Sequence, residues 1–400
     1  MNILFITSKN VNPVSGGIER STYILATAFT NIYTHLCYSA YLKRDTDNAW
    51  PYAEELHLQK GTEYDQLKAF VEKNSIEVII AQGSVGSINQ IVDKIGAAAK
   101  TRGAKLVFSF RNMPGFELVG MDSSVLLYRI LHCQQLLNSL GYLIYQTFSL
   151  VARPIILRRL KGKYSRAYYN ADRITLLSER FVDDYAQIAG TPTDEKYKGI
   201  NNALIFDECF NMEDYDSVKK KTVLFVGRFE ERQKRVTEVI QVWKMIERSG
   251  SFPEWQLRMV GSGEDELYYK KMVKRLKLKR VSFEGPGESR PYYSEASIFM
   301  MTSAFEGFGN VLTESLQNAV VPVAYDSYKA LHDIIQDGVN GFIVPDHNRK
   351  AYCNRMMRLM SDNELRKKMA ANGIQMTSKF SIKKIAGQWN SLITNLYENI

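Results

Sequence analysis

The sequence predicts an α/β protein with two parallel-sheet domains. Three observations point there. Short β-branched and aliphatic runs alternate with helix-period patterns, the mark of βαβ units. The alternation starts again after about residue 205, so one sheet does not account for it. The chain has 400 residues, 45% of them hydrophobic and only ten of them proline, which suits two buried cores and not a disordered chain.

The first set of strand candidates covers residues 3–7, 77–81, 105–110 and 173–177. The second covers 222–226, 256–260, 281–284, 297–302, 321–324 and 342–344. Helical patterns lie between them, such as 234–248 and 265–276. Strands separated by helices of this length form parallel sheets. The polar stretch 207–221 marks the boundary, giving one domain over 1–206 and a second from 207 onward. There is no internal repeat and no low-complexity segment.

Composition narrows the function classes. Met1 leads into Ile3-Leu4-Phe5-Ile6 with no basic start and no small-residue cleavage site, so no signal peptide is expected. Cys37, Cys133, Cys209 and Cys353 are scattered, which fits free thiols in a reducing cytoplasm and no zinc site. The net charge of +9 fits an anionic partner, yet no RNA-recognition signature or zinc-finger spacing is present.

One segment departs from the alternation. Residues 123–171 contain no acidic residue, seven basic ones and a long apolar stretch up to Leu160. Six of the cations fall within 153–166. Arg129, His132, Gln134, Gln135, Asn138 and Gln146 interrupt the apolar run, so a transmembrane helix is not expected. A helical insertion over about 120–166 in the N-terminal domain, lying on the anionic inner face of the cytoplasmic membrane, fits the pattern. A buried helical insertion with a solvated basic end fits it too.

Four strand–glycine–helix junctions carry the candidate chemistry. In EGFGNVLTESLQ, Gly307 and Gly309 permit a tight turn, and a helix starts near Asn310 with its free N–H groups and positive dipole end available to a phosphate. Glu306 precedes the turn and Glu314 lies about one turn into the helix, so both carboxylates can accept hydrogen bonds from sugar hydroxyls. In GRFEERQKR, Arg228 and Lys234 follow a strand and can clamp a diphosphate, Arg by its fork and Lys as a point charge. VGSGED, from Val260, and VSGGIER, with Gly16 and Gly17, are the other two. None is GxGxxG, so a nicotinamide fingerprint is absent.

In order and spacing, SGGIER, GRFEERQKR, MVGSGE, FEGP, FEGFGNVLTE and DGVNGFIVP resemble the retaining glycosyltransferases of family 4. The resemblance covers most of the chain. It implies a GT-B fold, two Rossmann-like domains over 1–206 and 207–380 facing a cleft, with a C-terminal helix within 381–400 crossing back to the first domain. By position, Glu306 is similar to the first glutamate of the family's E-x7-E motif, on the donor sugar, and Glu314 to the second, on the ribose. Arg228 and Lys234 match the pyrophosphate pair. The Phe308, Gly309, Asn310 and Val311 backbone would meet phosphate and sugar, and Glu284 falls where backbone meets the base. The family's usual histidine after strand 105–110 is missing: Arg111-Asn112-Met113-Pro114 stands there, and none of His35, His57, His132, His332 and His347 does. Arg111 is then a candidate for the reacting sugar or an acceptor phosphate, or a surface loop residue.

The resemblance implies hexose transfer with retention from a nucleotide diphosphate sugar, UDP preferred, to a saccharide or lipid-linked saccharide acceptor in bacterial capsule, exopolysaccharide or lipopolysaccharide synthesis. No metal is expected. Asp45-Thr46-Asp47 has the DxD form of metal-dependent transferases, but no clear strand leads into it. A glucan synthase or sugar phosphorylase would share the fold without needing the apolar insertion. A non-catalytic, membrane-peripheral nucleotide-binding protein is the remaining alternative.

Overall fold

The computed structural model describes residues 1–11, 16–44, 52–84, 86, 88–132 and 136–398. Asp45-Thr46-Asp47 and Cys133 lie outside the described residues. The chain forms two compact units. The N-terminal unit comprises Met1–Gly115, Pro154–Ile205 and Lys379–Ile400, and the C-terminal unit comprises Phe116–Arg153 and Phe206–Ser378.

The N-terminal sheet contains β1 (Asn2–Lys9), β2 (Leu36–Lys43), β3 (Glu55–His57), β4 (Val78–Gly83), β5 (Lys105–Phe110), β6 (Arg173–Leu176) and β7 (Tyr197–Gly199). They are ordered β3-β2-β1-β4-β5-β6-β7, and each pair is parallel. The C-terminal sheet contains β8 (Thr222–Val226), β9 (Gln256–Val260), β10 (Val281–Gly285), β11 (Ile298–Met301), β12 (Val321–Asp326) and β13 (Phe342–Pro345). Its order is β10-β9-β8-β11-β12-β13, again all parallel. Both sheets are Rossmann-like, with helices between most successive strands among the described residues.

Strand order reverses between β1 and β4 in one sheet and between β8 and β11 in the other. At such a switch point the two following loops diverge to opposite faces and leave a crevice at the carboxyl ends of the strands. Ile298 of β11 registers with Val223 of β8, which fixes the loops after both strands side by side.

Three strands were not expected from sequence. β3 and β7 are three-residue edge strands, too short to show a period. β2 reads LCYSAYLK, and its Ser39 and Ala40 weaken a strand signal. Burial decides there, since Ser39 and Ala40 are both fully inaccessible. The helix expected over 234–248 is two helices, Glu231–Lys234 and Val236–Ser249, separated by Arg235 at φ +46°. Thr302 holds that break, its hydroxyl donating to the carbonyls of Lys234 (2.8 Å) and Arg235 (3.1 Å). The helix Ile382–Glu398 shares a core with Gly17–Tyr33, through Ile385, Trp389 and Ile393 against Leu25 and Phe29.

The insertion expected within the N-terminal domain divides instead. The helix Ser123–Leu131 and the first part of the run Leu136–Asn170 belong to the C-terminal unit, and the run's end belongs to the N-terminal unit. The physical reason is Arg129. Its side chain is 2% exposed, its Nε lies 2.6 Å from Oδ1 of the inaccessible Asp265, and it also pairs with Glu264. A buried cation between two carboxylates fixes this segment to the loop after β9. Among the described residues no single helix is long and apolar enough to cross a membrane. The bent pair Leu136–Phe148 and Arg153–Asn170 passes only together, by length and composition.

Candidate active site

The loops after β8 and β11 meet at the C-terminal switch point. Lys234 Nζ lies 2.5 Å from Glu306 Oε1, with the two side chains only 11% and 10% exposed. Gln233 Nε2 donates to the other Glu306 oxygen at 3.2 Å. Arg228 Nη2 donates to Gln233 Oε1 at 2.8 Å, while its side chain remains 71% exposed. Arg228 and Lys234 are thus linked through Gln233 and Glu306, one cation open and the other buried. Backbone pairing from Ala304 N–H to the Gln233 carbonyl (2.7 Å) holds the two loops in register. Glu230 lies 3.7 Å from Arg228 and partly balances it.

The turn after β11 has the predicted form. Gly309 adopts φ +96°, and a Cβ there would stand 2.6 Å from the Tyr328 hydroxyl. Both facts require glycine. Tyr328 is fully buried, and burial together with the Glu306 charge raises its phenol well above its ordinary pKa. It is therefore a neutral floor under the turn. The helix Asn310–Gln317 starts here with no side-chain cap, and its positive dipole end favours an anion at that point. Phe308 and Glu314 are buried, while Asn310 and Val311 are half-buried. Glu314 lies within the helix, as its spacing from Glu306 predicted.

The loops after β8 and β9 pack backbone to backbone. Phe229 N–H donates to the Ser262 carbonyl (2.9 Å), and Asp265 N–H donates to the Phe229 carbonyl (3.1 Å). Gly261 adopts φ +136°, and a Cβ there would lie 2.0 Å from the Gly227 carbonyl oxygen. Close loop approach, which only glycine allows, accounts for this part of VGSGED.

Glu284 sits in a bulge of β10, where register jumps between Phe283 and Gly285. Its side chain is engaged, accepting from Arg258 Nε at 2.9 Å and Ser282 Oγ at 2.6 Å. Those two bonds hold its carboxyl below the usual range. Its backbone has no register partner on β9, as expected of the extra residue in a bulge.

Gly16, Gly17 and Arg111 belong to the other unit. Gly16 and Gly17 are exposed at the start of the helix Gly17–Tyr33, after β1. Arg111 follows β5 and is not a surface loop residue. It is buried, Nη2 donates to Asn202 Oδ1 at 2.6 Å, and burial lowers its guanidinium to about 10. A cavity of about 700 Å³ in this unit, beside Lys105, Arg173 and Lys196, opens at the amino ends of β5, β6 and β7. That is the end opposite to where such sheets bind ligands.

Sequence reasoning missed Gln233 and Glu231. Glu231 is buried, and burial raises its carboxyl to about 7. It accepts from Thr237 N–H (3.0 Å) and the Tyr269 hydroxyl (3.0 Å), and so shapes the loop bearing Lys234 from behind. Among the described residues no group of three or more His, Cys, Asp or Glu side chains could hold a metal.

Residues 210–376 match the model of the family described as Glycosyl transferases group 1. Over these residues the chain is similar to the group 1 glycosyl transferases. The poly(glycerol-phosphate) alpha-glucosyltransferase of Bacillus subtilis is 24% identical over 251 residues, 60% of this chain and 36% of that protein. The GalNAc-alpha-(1->4)-GalNAc-alpha-(1->3)-diNAcBac-PP-undecaprenol alpha-1,4-N-acetyl-D-galactosaminyltransferase of Campylobacter jejuni is 27% identical over 197 residues, 49% of this chain and 52% of that one. The chain thus spans a third to a half of the length of these curated relatives. Anabaena Alr3699/HepE, solved in complex with UDP, superposes with a TM-score of 0.71, at 17% identity, over 99% of this chain and 100% of that one. That likeness shows the GT-B fold. Lys234, Glu306, Gly309 and Glu314 all fall within the matched group 1 domain.

Proposed function

We propose that this protein is a retaining, metal-independent glycosyltransferase. It moves a hexose from a nucleotide diphosphate sugar, UDP preferred, to a lipid-linked saccharide in bacterial surface polysaccharide synthesis. The observation that carries this is the buried Lys234–Glu306 pair at the switch point beside the uncapped helix at Asn310. An ammonium has three donors, so Lys234 can keep Glu306 and still take a donor phosphate. Arg228, exposed beside it, supplies the second cation for the diphosphate. Glu306 and Glu314 accept from the hydroxyls of the donor hexose and the ribose. Charge developing on the leaving diphosphate is then stabilised by the two cations and the positive end of the helix dipole. The leaving phosphate takes the acceptor proton on the same face, which gives retention.

UDP as the nucleotide is supported by the fold shared with a UDP-bound neighbour. A lipid-linked acceptor and a peripheral place on the inner membrane face are supported by the Campylobacter relative's undecaprenol substrate and by the apolar, acid-free segment 123–171.

The test is thermal stabilisation by UDP, GDP, ADP and NAD in EDTA, on wild type and Glu314→Ala. A nucleoside diphosphate at about 100 times its Kd should add about 2.7 kcal/mol, and less in the variant. Stabilisation by none of them, or by NAD alone, refutes the donor site.

A further inference from the structure

The segment Leu136–Phe148 has two faces with different surroundings. Leu137, Ile144 and Phe148 are 85%, 58% and 58% exposed, and recur at helical spacing on one side. On the other side Tyr142, Tyr145 and Gln146 turn inward. The Tyr142 ring lies 5.4 Å from the Arg232 guanidinium, Tyr145 donates to the Leu118 carbonyl at 3.4 Å, and Gln146 donates to the Met121 carbonyl. Arg232 also donates to the carbonyls of Phe116 (2.9 Å) and Val119 (3.2 Å), and its guanidinium lies 5.3 Å from the Phe305 ring. Phe305 is the residue before Glu306.

The inward face borders a cavity. It measures about 400 Å³ and is lined by Asn138 and Tyr142 from this helix and by Arg228, Glu230, Gly263 and Glu264 from the loops after β8 and β9. The exposed diphosphate cation Arg228 therefore shares a pocket with a helix whose opposite face is bare leucine, isoleucine and phenylalanine. The chain that follows supplies the charge: residues 153–166 hold six cations and no acid. Exposed apolar residues ahead of a one-signed cationic stretch match an anionic lipid surface, with apolar groups at the acyl boundary and cations on headgroup phosphates.

We propose that Leu136–Phe148 couples the two sites: its outer face seats on an anionic bilayer, and its inner face, through Tyr142 and Asn138, completes the nucleotide-diphosphate pocket at Arg228. This rests on the proposed donor site. Lipid binding holds the helix in the position in which Tyr142 lies against Arg232, whose guanidinium also meets the Phe305 ring. Donor binding then finds its wall in place, and each ligand tightens the other. By linkage the two effects are equal in size. A chain held at the membrane thus binds its donor best where a lipid-linked acceptor is present.

The experiment is UDP titration by calorimetry, with and without phosphatidylglycerol vesicles, alongside vesicle sedimentation with and without UDP. Phosphatidylcholine vesicles are the uncharged control. For the wild type, anionic vesicles should lower the UDP Kd at least about fivefold, and UDP should tighten sedimentation by the same factor. Leu137→Ser/Ile144→Ser should bind UDP in buffer like wild type but lose the vesicle effect. Tyr142→Ala should still sediment but show a UDP Kd indifferent to vesicles. Equal UDP affinity on and off vesicles overturns the coupling while leaving the donor site standing, and so does undiminished coupling in Tyr142→Ala or failure to sediment. Failure to bind UDP under any condition refutes the donor-site reading and this inference with it.

Discussion

Lys234 is held by a carboxylate before any substrate arrives, so the proposed phosphate cation is also a structural residue. The 2.5 Å contact with Glu306 leaves no room for water between them. Removing the ammonium leaves a buried carboxylate without its cation. Lys234→Ala should therefore destabilise the C-terminal unit by about 3 kcal/mol. It should also lower turnover about a hundredfold or more, because one of the two charges on the leaving diphosphate is lost. Denaturant unfolding and steady-state rates on the folded variant separate the two losses. Near-normal turnover would remove Lys234 from the mechanism. Lys234 and Glu306 were legible in the sequence because each follows a clear strand at a set distance from a glycine turn. Gln233 was not. Its part depends on where its amide points, to Arg228 on one side and Glu306 on the other, and an isolated glutamine in a charged loop carries no signal of that. Glu231 was hidden for the same reason, since only packing shows that it is the glutamate in EERQK that goes inside.

At the scale of elements, long central strands were readable and short edge strands were not. β8, β9 and β5 match their expected limits, whereas β3 and β7, three residues each at the sheet edges, leave no pattern. The segment around Ser123–Leu131 shows a different limit. Its composition marked it as unusual, but nothing local shows that Arg129 seeks Asp265, 136 residues away. That ion pair also orders the loop after β9, since Asp265 accepts from Glu231 N–H at 2.9 Å as well. Arg129→Ala should cost about 3–5 kcal/mol, because it strands an inaccessible carboxylate. Arg129→Lys should recover little, since a single ammonium cannot reproduce the fork on Asp265. Urea unfolding of the three proteins checks this. A loss below about 1 kcal/mol in the alanine variant would show that the segment does not depend on this anchor.

For the whole molecule, the net charge of +9 is unevenly spread. A stretch of 49 residues, 123–171, holds seven cations and no acid, so the rest of the chain carries only two of the nine net charges. Arg129 is buried against Asp265 and Glu264, which leaves the six cations of 153–166 to be drawn to an anionic surface. Each cation near such a surface contributes about 1 kcal/mol, and salt screens that contribution, since the Debye length falls from about 10 Å at 0.1 M to about 3 Å at 1 M. Apolar insertion is not screened in this way. Sedimentation with phosphatidylglycerol vesicles should therefore be strong at low salt and fall steeply towards 1 M, with a remainder that Leu137→Ser/Ile144→Ser abolishes. Replacing Arg158, Arg159, Lys161 and Lys163 by serine should remove the salt-sensitive part and leave that remainder. Sedimentation that is indifferent to salt, or equal with phosphatidylcholine, would mean that the cations make no contact with the headgroups.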